Sequence, residues 1–284
     1  ASVPSSTLGL RMSCAAWENF ARLRRFAEVS AREFLDFLAQ KAELRALLGA
    51  LRRLENPGEP AGESPLPPAL RALPGVRPDA AEAAQSWDEL LAAAEGSLFG
   101  PALRALPREP DTGLPTYAAC ADLLELRYEA ALLDFLRTDY RGPDGAALTE
   151  AVRFRADLLN AGYLLRLRRF HTPPDKARAL LLSDGGSLTR RAEDAVLAAP
   201  DDGSALTALL ASPLGKRLRG LTAAEPERFV RRAEAVYFRS LLHSAPALSA
   251  VYAFLTLQEA ECGMLQRVHA ALLYGADPRD FVSL

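Results

Sequence analysis

Isoleucine is absent from this chain of 284 residues and lysine is reduced to Lys41, Lys176 and Lys216, so arginine carries nearly all of the positive charge and alanine and leucine most of the apolar bulk. A skew of this kind reflects genomic composition rather than a function. Acidic residues (36) slightly outnumber basic ones (34), and without a net basic balance the arginines do not form the footprint that nucleic-acid binding requires. Cysteine is scarce as well. Cys14, Cys120 and Cys262 are odd in number and far apart, which excludes a disulfide framework and a zinc site of paired ligands and points to a reducing cytoplasm. No run of about 18 uncharged apolar residues is present, so no segment reads as a transmembrane helix. The opening ASVPSSTLGLRMSC lacks an initiator Met and an uninterrupted apolar core; it reads as a processed or vector-derived end rather than a secretion signal.

Catalytic signatures are missing too. Gly215-Lys216 has Leu210 five positions upstream and Arg217 after it, so it cannot build a phosphate-cradling loop. No H-E-x-x-H occurs, and His171, His243 and His269 stand apart from one another. Asp201-Asp202 lacks a third acid at helical spacing and, between Pro200 and Gly203, reads as a turn. Cys262 beside Glu261 has no neighbouring base in sequence and reads as a buried, inert thiol. Nothing here suggests an enzyme, a cofactor or a metal.

What is present is helical periodicity. Valines are few and no period-two alternation with turn dipeptides occurs, so the fold class is all-α. Over 118–137, Leu123, Leu126, Ala130, Leu133 and Leu136 recur at three- and four-residue steps, placing them on one face with Asp122, Glu125, Glu129 and Arg137 elsewhere. Ser30-Ala-Arg-Glu33 and Ser86-Trp-Asp-Glu89 have the spacing of capping boxes at helix starts. His171-Thr-Pro173-Pro174, Gly142-Pro143-Asp144-Gly145, Asp184-Gly185-Gly186 and Pro200-Asp-Asp-Gly203 read as helix stops. The Pro/Gly-rich stretch 56–79 reads as a loop with at most one helical turn around 69–73.

The helices repeat. Ser97-Leu-Phe-Gly100 to Leu106 and Ser212-Pro-Leu-Gly215 to Leu221 share S-x-[FL]-G-x-x-L-R-x-L, each position displaced by 115. A Y-x-x-x-L-L segment follows in both, beginning at Tyr128 and Tyr237. The next helix holds a carboxylate, an aromatic thirteen residues on and a proline four beyond: Asp157, Phe170, Pro174 in one copy and Glu261, Tyr274, Pro278 in the other. LRRF at 23–26 matches LRRF at 167–170, with Ser30 at the position of Pro174, and marks a partial third copy over 16–51.

Within 155–166, Asp157, Asn160 and Leu164 share a helix face, with Arg153 four residues before Asp157 where an ion pair can form. Polar groups among leucines must meet a partner or face water. Two readings stand: an interhelical hydrogen-bond pair within a bundle, or the lining of a groove in which another protein docks.

Asp157-Leu-Leu-Asn160 with Leu164-Leu165-Arg166, LLLSDGGSL at 180–188, the Ser-Pro-Leu-Gly tip at 212–215 and the closing YAFLTLQEAECGMLQRVHAALLYGADPRDFV together resemble the C subunit (subunit d) of V-type and archaeal-type rotary ATPases. The resemblance covers 86–284 well and 10–51 more faintly. Two departures stand out: 56–79 occupies the place of another acidic-Asn helix, and Met264 stands at the Asn position of the last copy.

The resemblance implies a funnel-shaped, all-helical protein of repeated lobes in a pseudo-threefold arrangement. The lobes would be 1–80 (first, with the Pro/Gly-rich loop), 81–199 and 200–284. It further implies a central-stalk rotor subunit that couples the central shaft to the membrane rotor ring on the cytoplasmic face, for proton or sodium transport. Such a subunit has no cofactor, metal or catalytic residue. Arg155, Asp157, Asn160, Gln258, Glu259 and Glu261 are the candidate lining of the shaft socket. The alternatives are a helical adaptor of the same fold with another protein partner, and a helical enzyme, which would need a deep pocket of perturbed titratable groups.

Overall fold

Each regular element of the computed structural model is a helix, and the structure describes residues 5–56, 68–73, 77–140, 142, 144–178, 180–182, 186–218, 226–280 and 282. The expected all-α class is therefore observed. The chain divides into two compact units, Ala1–Pro143 and Asp144–Leu284.

The first unit contains α1 (Ser5–Phe26), α2 (Val29–Ala39), α3 (Lys41–Glu55), α4 (Pro68–Arg71), α5 (Pro78–Ala83), α6 (Trp87–Ala93), α7 (Gly100–Arg104) and α8 (Tyr117–Thr138). Its centre is α3, whose Leu44, Leu47, Leu48 and Leu51 are buried and which packs on α5, α6 and α8. Burying a leucine side chain contributes about 1.5–3 kcal/mol, so this stripe anchors the unit. Phe37 of α2 stacks on Phe135 of α8 with centroids 4.7 Å apart.

The helix read over 118–137 is α8, but its buried face is turned. Of the expected face Leu126 and Leu136 are buried, but Leu123, Ala130 and Leu133 are only half-buried, and Leu124, Tyr128, Leu132 and Glu129 are buried instead. Leu–Leu doublets leave the phase of an amphipathic pattern ambiguous by one residue, and the bulk of Tyr128, packed 6.1 Å from Phe37, decides it. Of the two capping boxes, Ser86 is a cap: its Oγ accepts the Glu89 N–H at 3.2 Å, and Glu89 in turn accepts the N–H of Gln85, one residue before the cap. Ser30 is not. The α2 helix starts one residue earlier at Val29, with Glu28 at the cap position making no side-chain bond. In the 56–79 stretch the single turn expected around 69–73 is α4 (Pro68–Arg71), and α5 opens at Pro78 at its very end; positions 57–67 and 74–76 lie outside the described residues.

The second unit contains α9 (Gly145–Arg169), α10 (Pro174–Arg178), α11 (Arg190–Leu197), α12 (Asp202–Leu210), α13 (Pro213–Arg217), α14 (Pro226–Ser244), α15 (Ala247–Tyr274) and a closing 3-10 turn, Pro278–Asp280. Leu158, Leu164 and Leu165 of α9 share a buried cluster with Val196, Leu206, Leu209, Leu214 and Phe229. Asp144, at the start of α9, accepts the N–H of Leu248 at the start of α15 at 3.4 Å. Eleven residues further along both helices, Arg155 meets Glu259. The two helices thus run parallel and in register, with α14 packed against both. The break expected at Pro200–Gly203 does separate α11 from α12, but it is shorter than a full turn: Asp201 caps α12 by accepting the Ser204 N–H at 2.8 Å, which puts Gly203 in the first turn of the helix. Of the other expected stops, α9 ends at Arg169 before Pro173-Pro174 and begins just after Asp144, whereas Pro143 and 183–185 lie outside the described residues.

The repeated tip has one physical explanation in both units. Ser97 and Ser212 each accept an N–H from the following turn, Phe99 and Leu214 are buried, and so are Leu103 and Leu218. Gly100 and Gly215 let the chain pass over a backbone carbonyl, of Ala94 and Leu210 respectively, where any Cβ would collide. The helices before the tips, α6 and α12, also begin 115 positions apart.

Candidate functional site

The six candidate residues lie on α9 and α15, and α9 buries three of them. Arg155 is 7 % exposed. Its guanidinium reaches Glu259 Oε2 at 3.0 Å and Glu234 Oε1 at 3.5 Å, so one cation ties α9 to both α14 and α15. A charge this buried is tolerated because two carboxylates surround it.

Asp157 and Asn160 face the other way, toward the segment after α10. Asp157 accepts the Ser187 N–H at 2.7 and 2.9 Å, the Ser187 hydroxyl at 2.7 Å and the Leu188 N–H at 3.4 Å. Asn160 donates to the Leu182 carbonyl at 3.1 Å and accepts the Leu182 N–H at 2.9 Å, pairing with that residue as a neighbouring strand would. A Cβ on Gly186 would overlap the Asp157 carboxylate. The side chains on α9 therefore supply hydrogen-bond partners to the backbone of Leu182, Ser187 and Leu188, which lie outside any helix. Arg153 is exposed, and Asp157 is satisfied by these donors. Of the two readings open at the sequence level, internal hydrogen bonding describes the Asp157 and Asn160 contacts, though the partner is a loop rather than a helix.

On α15, Gln258 and Glu259 are half-buried and Glu261 is exposed. Gln258 and Glu261 fall at helical spacing with Phe254, Leu265 and Leu272, all three exposed. The result is a stripe of apolar residues with an amide and a carboxylate in its middle. Sequence reasoning picked out the polar members and missed the leucines, which periodicity alone would assign to the core. It also missed Glu234, whose link to Arg155 carries no sequence signal.

Among the described residues no three of His, Cys, Asp and Glu come together as a metal site, and no helix is long and apolar enough to cross a membrane. Burial pushes the Cys120 thiol up to about 12, and burial followed by Glu261 and Glu259 raises Cys262, which keeps both protonated; Cys262 is half-buried rather than buried as expected, because its face of α15 is only partly covered.

An all-helical chain of duplicated helix pairs, whose polar residues bind its own loops and helices, has the character of a structural subunit. Residues 4–279 match the family described as ATP synthase (C/AC39) subunit, and the chain belongs to that family. It is a subunit of a V/A-type ATPase, of the kind that is structural rather than catalytic in the complex. A comparison with curated proteins finds no match.

Proposed function

We propose that the chain is the rotor subunit that joins the central shaft to the membrane rotor ring, without catalytic function of its own, and transmits torque for proton or sodium transport at the cytoplasmic face. Membership of the family supports this reading, and one observation carries it: the in-register contact of α9 and α15 through Arg155 and Glu259. Torque transmission needs a body that does not shear, and packed interiors transmit strain rather than absorb it. The cation shared by α9, α14 and α15 resists sliding of one helix past another. The reading includes the three-lobed funnel, 1–80, 81–199 and 200–284, that the resemblance implies; the repeated tips support it.

In this reading the candidate socket residues take two roles. Gln258, Glu259 and Glu261 offer polar contact to the shaft along α15, beside Leu265 and Leu272, a mixture suited to a partner that assembles reversibly. Arg155 holds α15, and Asp157 and Asn160 hold Leu182, Ser187 and Leu188. The test is recovery of partners from native membranes with the tagged full chain. Shaft and ring subunits together support the reading; recovery of an unrelated protein without them would replace it with the adaptor alternative.

A further inference from the structure

Arginines drawn into the second unit are matched by carboxylates: Arg155 by Glu234 and Glu259, Arg168 by Asp202, and Arg178 by Asp175 and Asp194. Arg267 of α15 is not. It is half-buried, its Nε is closed off from solvent without a hydrogen-bond partner, and among the described residues it makes no ion pair. Its own helix offers no counter-charge, because the residues three and four positions away are Gly263, Met264, Ala270 and Ala271. Gly263 supplies room instead. A Cβ there would touch Nη1 of Arg267 at 3.4 Å, so the guanidinium lies back along α15 over that glycine.

The neighbour across the seam is a second cation. Helix α14 packs along α15 and brings Arg231 close: burial, and after it the charge of Arg231, hold the Arg267 guanidinium below its ordinary range. Arg231 is engaged elsewhere as well, so the charge without a counterpart is that of Arg267. Desolvating one guanidinium beside another destabilises the fold, and no contact within the chain offsets it. A bound anion would.

We propose that Arg267 and Arg231 form a binding site for a small oxyanion of the phosphate class at the α14–α15 seam. Guanidinium groups present planar N–H forks that match the oxygens of phosphate. The seam is closed by helix packing, which suits a small diffusible ligand rather than a side chain carried in on another protein. Phosphate is also the ion that an ATPase releases and an ATP synthase consumes, so it is at hand wherever a subunit of this family works. Occupied, the seam is neutralised and the α14–α15 pair is held more firmly; empty, like charges face each other across it.

The test is titration of the full chain, and of Arg267→Met and Arg239→Met, with inorganic phosphate and separately with ADP, at constant ionic strength, followed by calorimetry and by the midpoint of thermal unfolding. The parent is expected to bind at least one of the two, which tells a free ion from the terminal phosphate of a nucleotide, and Arg267→Met to bind it at least about tenfold more weakly. Arg239 is exposed on α14, about two turns from Arg231; its variant removes the same charge and should bind as the parent does. Phosphate raises the midpoint of many proteins by exclusion from their surfaces, so the comparison that counts is between chains: the parent's midpoint should rise further than that of Arg267→Met. Without phosphate or ADP, Arg267→Met should unfold at or above the parent's midpoint, being relieved of the like-charge contact. A parent that binds neither phosphate nor ADP overturns the proposal, whatever the variants do. So does an Arg267→Met that binds like the parent or unfolds well below it, and an Arg239→Met that loses as much affinity, which would reduce the site to net charge.

Discussion

Arg155 and Glu259 meet at 3.0 Å across a sequence separation of 104. The same separation relates Asp157 to Glu261, Phe170 to Tyr274 and Pro174 to Pro278. The two copies of the duplicated helix therefore lie beside each other, in phase, within one unit. Their mutual contact is made by residues at matching positions.

Because Arg155 also reaches Glu234, removing its charge leaves two carboxylates facing each other in a half-buried seam. Arg155→Met should destabilise the folded chain by roughly 2–4 kcal/mol, read as a lowered midpoint of thermal unfolding at neutral pH. Adding Glu259→Leu should recover part of the loss, since the pair rather than the residue is what the seam needs. A midpoint unchanged in the single variant would remove this cation from the stability of the unit.

Glu43 makes the stability of the chain pH-dependent. The side chain is 1 % exposed on α3, and burial pushes its carboxyl up to about 7, against partial relief from a Ser97 hydrogen bond and from Arg77. The folded chain thus holds this proton to higher pH than the unfolded chain, whose carboxyl has the ordinary value of 4.5. The contribution to stability is fully present below that value and is lost as pH rises through about 7. Glu43→Gln should match the parent near pH ~5 and exceed it near pH ~8 by on the order of 2 kcal/mol, measured by thermal or urea unfolding at the two pH values. Parallel curves for the two proteins would show that the carboxyl is already ionised when folded.

Glycines in this chain divide by what surrounds them. At Gly215 a Cβ would collide with the Leu210 carbonyl, and Gly215→Ala should cost roughly 1–3 kcal/mol through displaced backbone. At Gly162, inside α9, nothing lies within 4 Å of the added carbon, and Gly162→Ala should stabilise by about 0.5–1 kcal/mol. Unfolding midpoints moving in opposite directions would confirm both geometries.

Asp157 and Glu261 occupy equivalent positions yet should behave differently. Asp157→Ala removes the acceptor for Ser187 and Leu188 and should lower the unfolding midpoint. Glu261→Lys, on an exposed face, should leave the midpoint within ~0.5 kcal/mol of the parent and weaken binding of the isolated shaft at least about tenfold. Thermal unfolding and a shaft titration report the two effects separately.

Much of this architecture could be read from residue types alone, and the reasons for the failures are specific. The Ser-x-[Phe/Leu]-Gly tip was legible because a tight helix-to-helix passage demands glycine and a hydroxyl whatever surrounds it. The Ser86 cap was legible for the same reason, being a contact within four residues. Ser30 misled because the identical spacing lies inside α2, where Glu28 and Val29 had already begun the helix. The turned face of α8 follows from leucine doublets, which fit two neighbouring phases until Tyr128 finds its pocket. Asp157 and Asn160 were recognisable as polar groups in need of partners, but the partners lie 22 to 31 residues away in a loop, and no periodicity reports such a distance. Glu259 could have been paired with Arg155 by adding the repeat offset; Glu234 could not.

The central claim is that this chain mechanically joins shaft to ring, and the most direct test is bridging. Isolated shaft is added to native membranes stripped of their peripheral subunits, with and without the full chain, and the shaft retained on the membranes is measured. Retention that depends on the chain, and that Glu261→Lys abolishes, is the predicted result. Shaft retained equally without the chain, or not retained when the chain is present, contradicts the account.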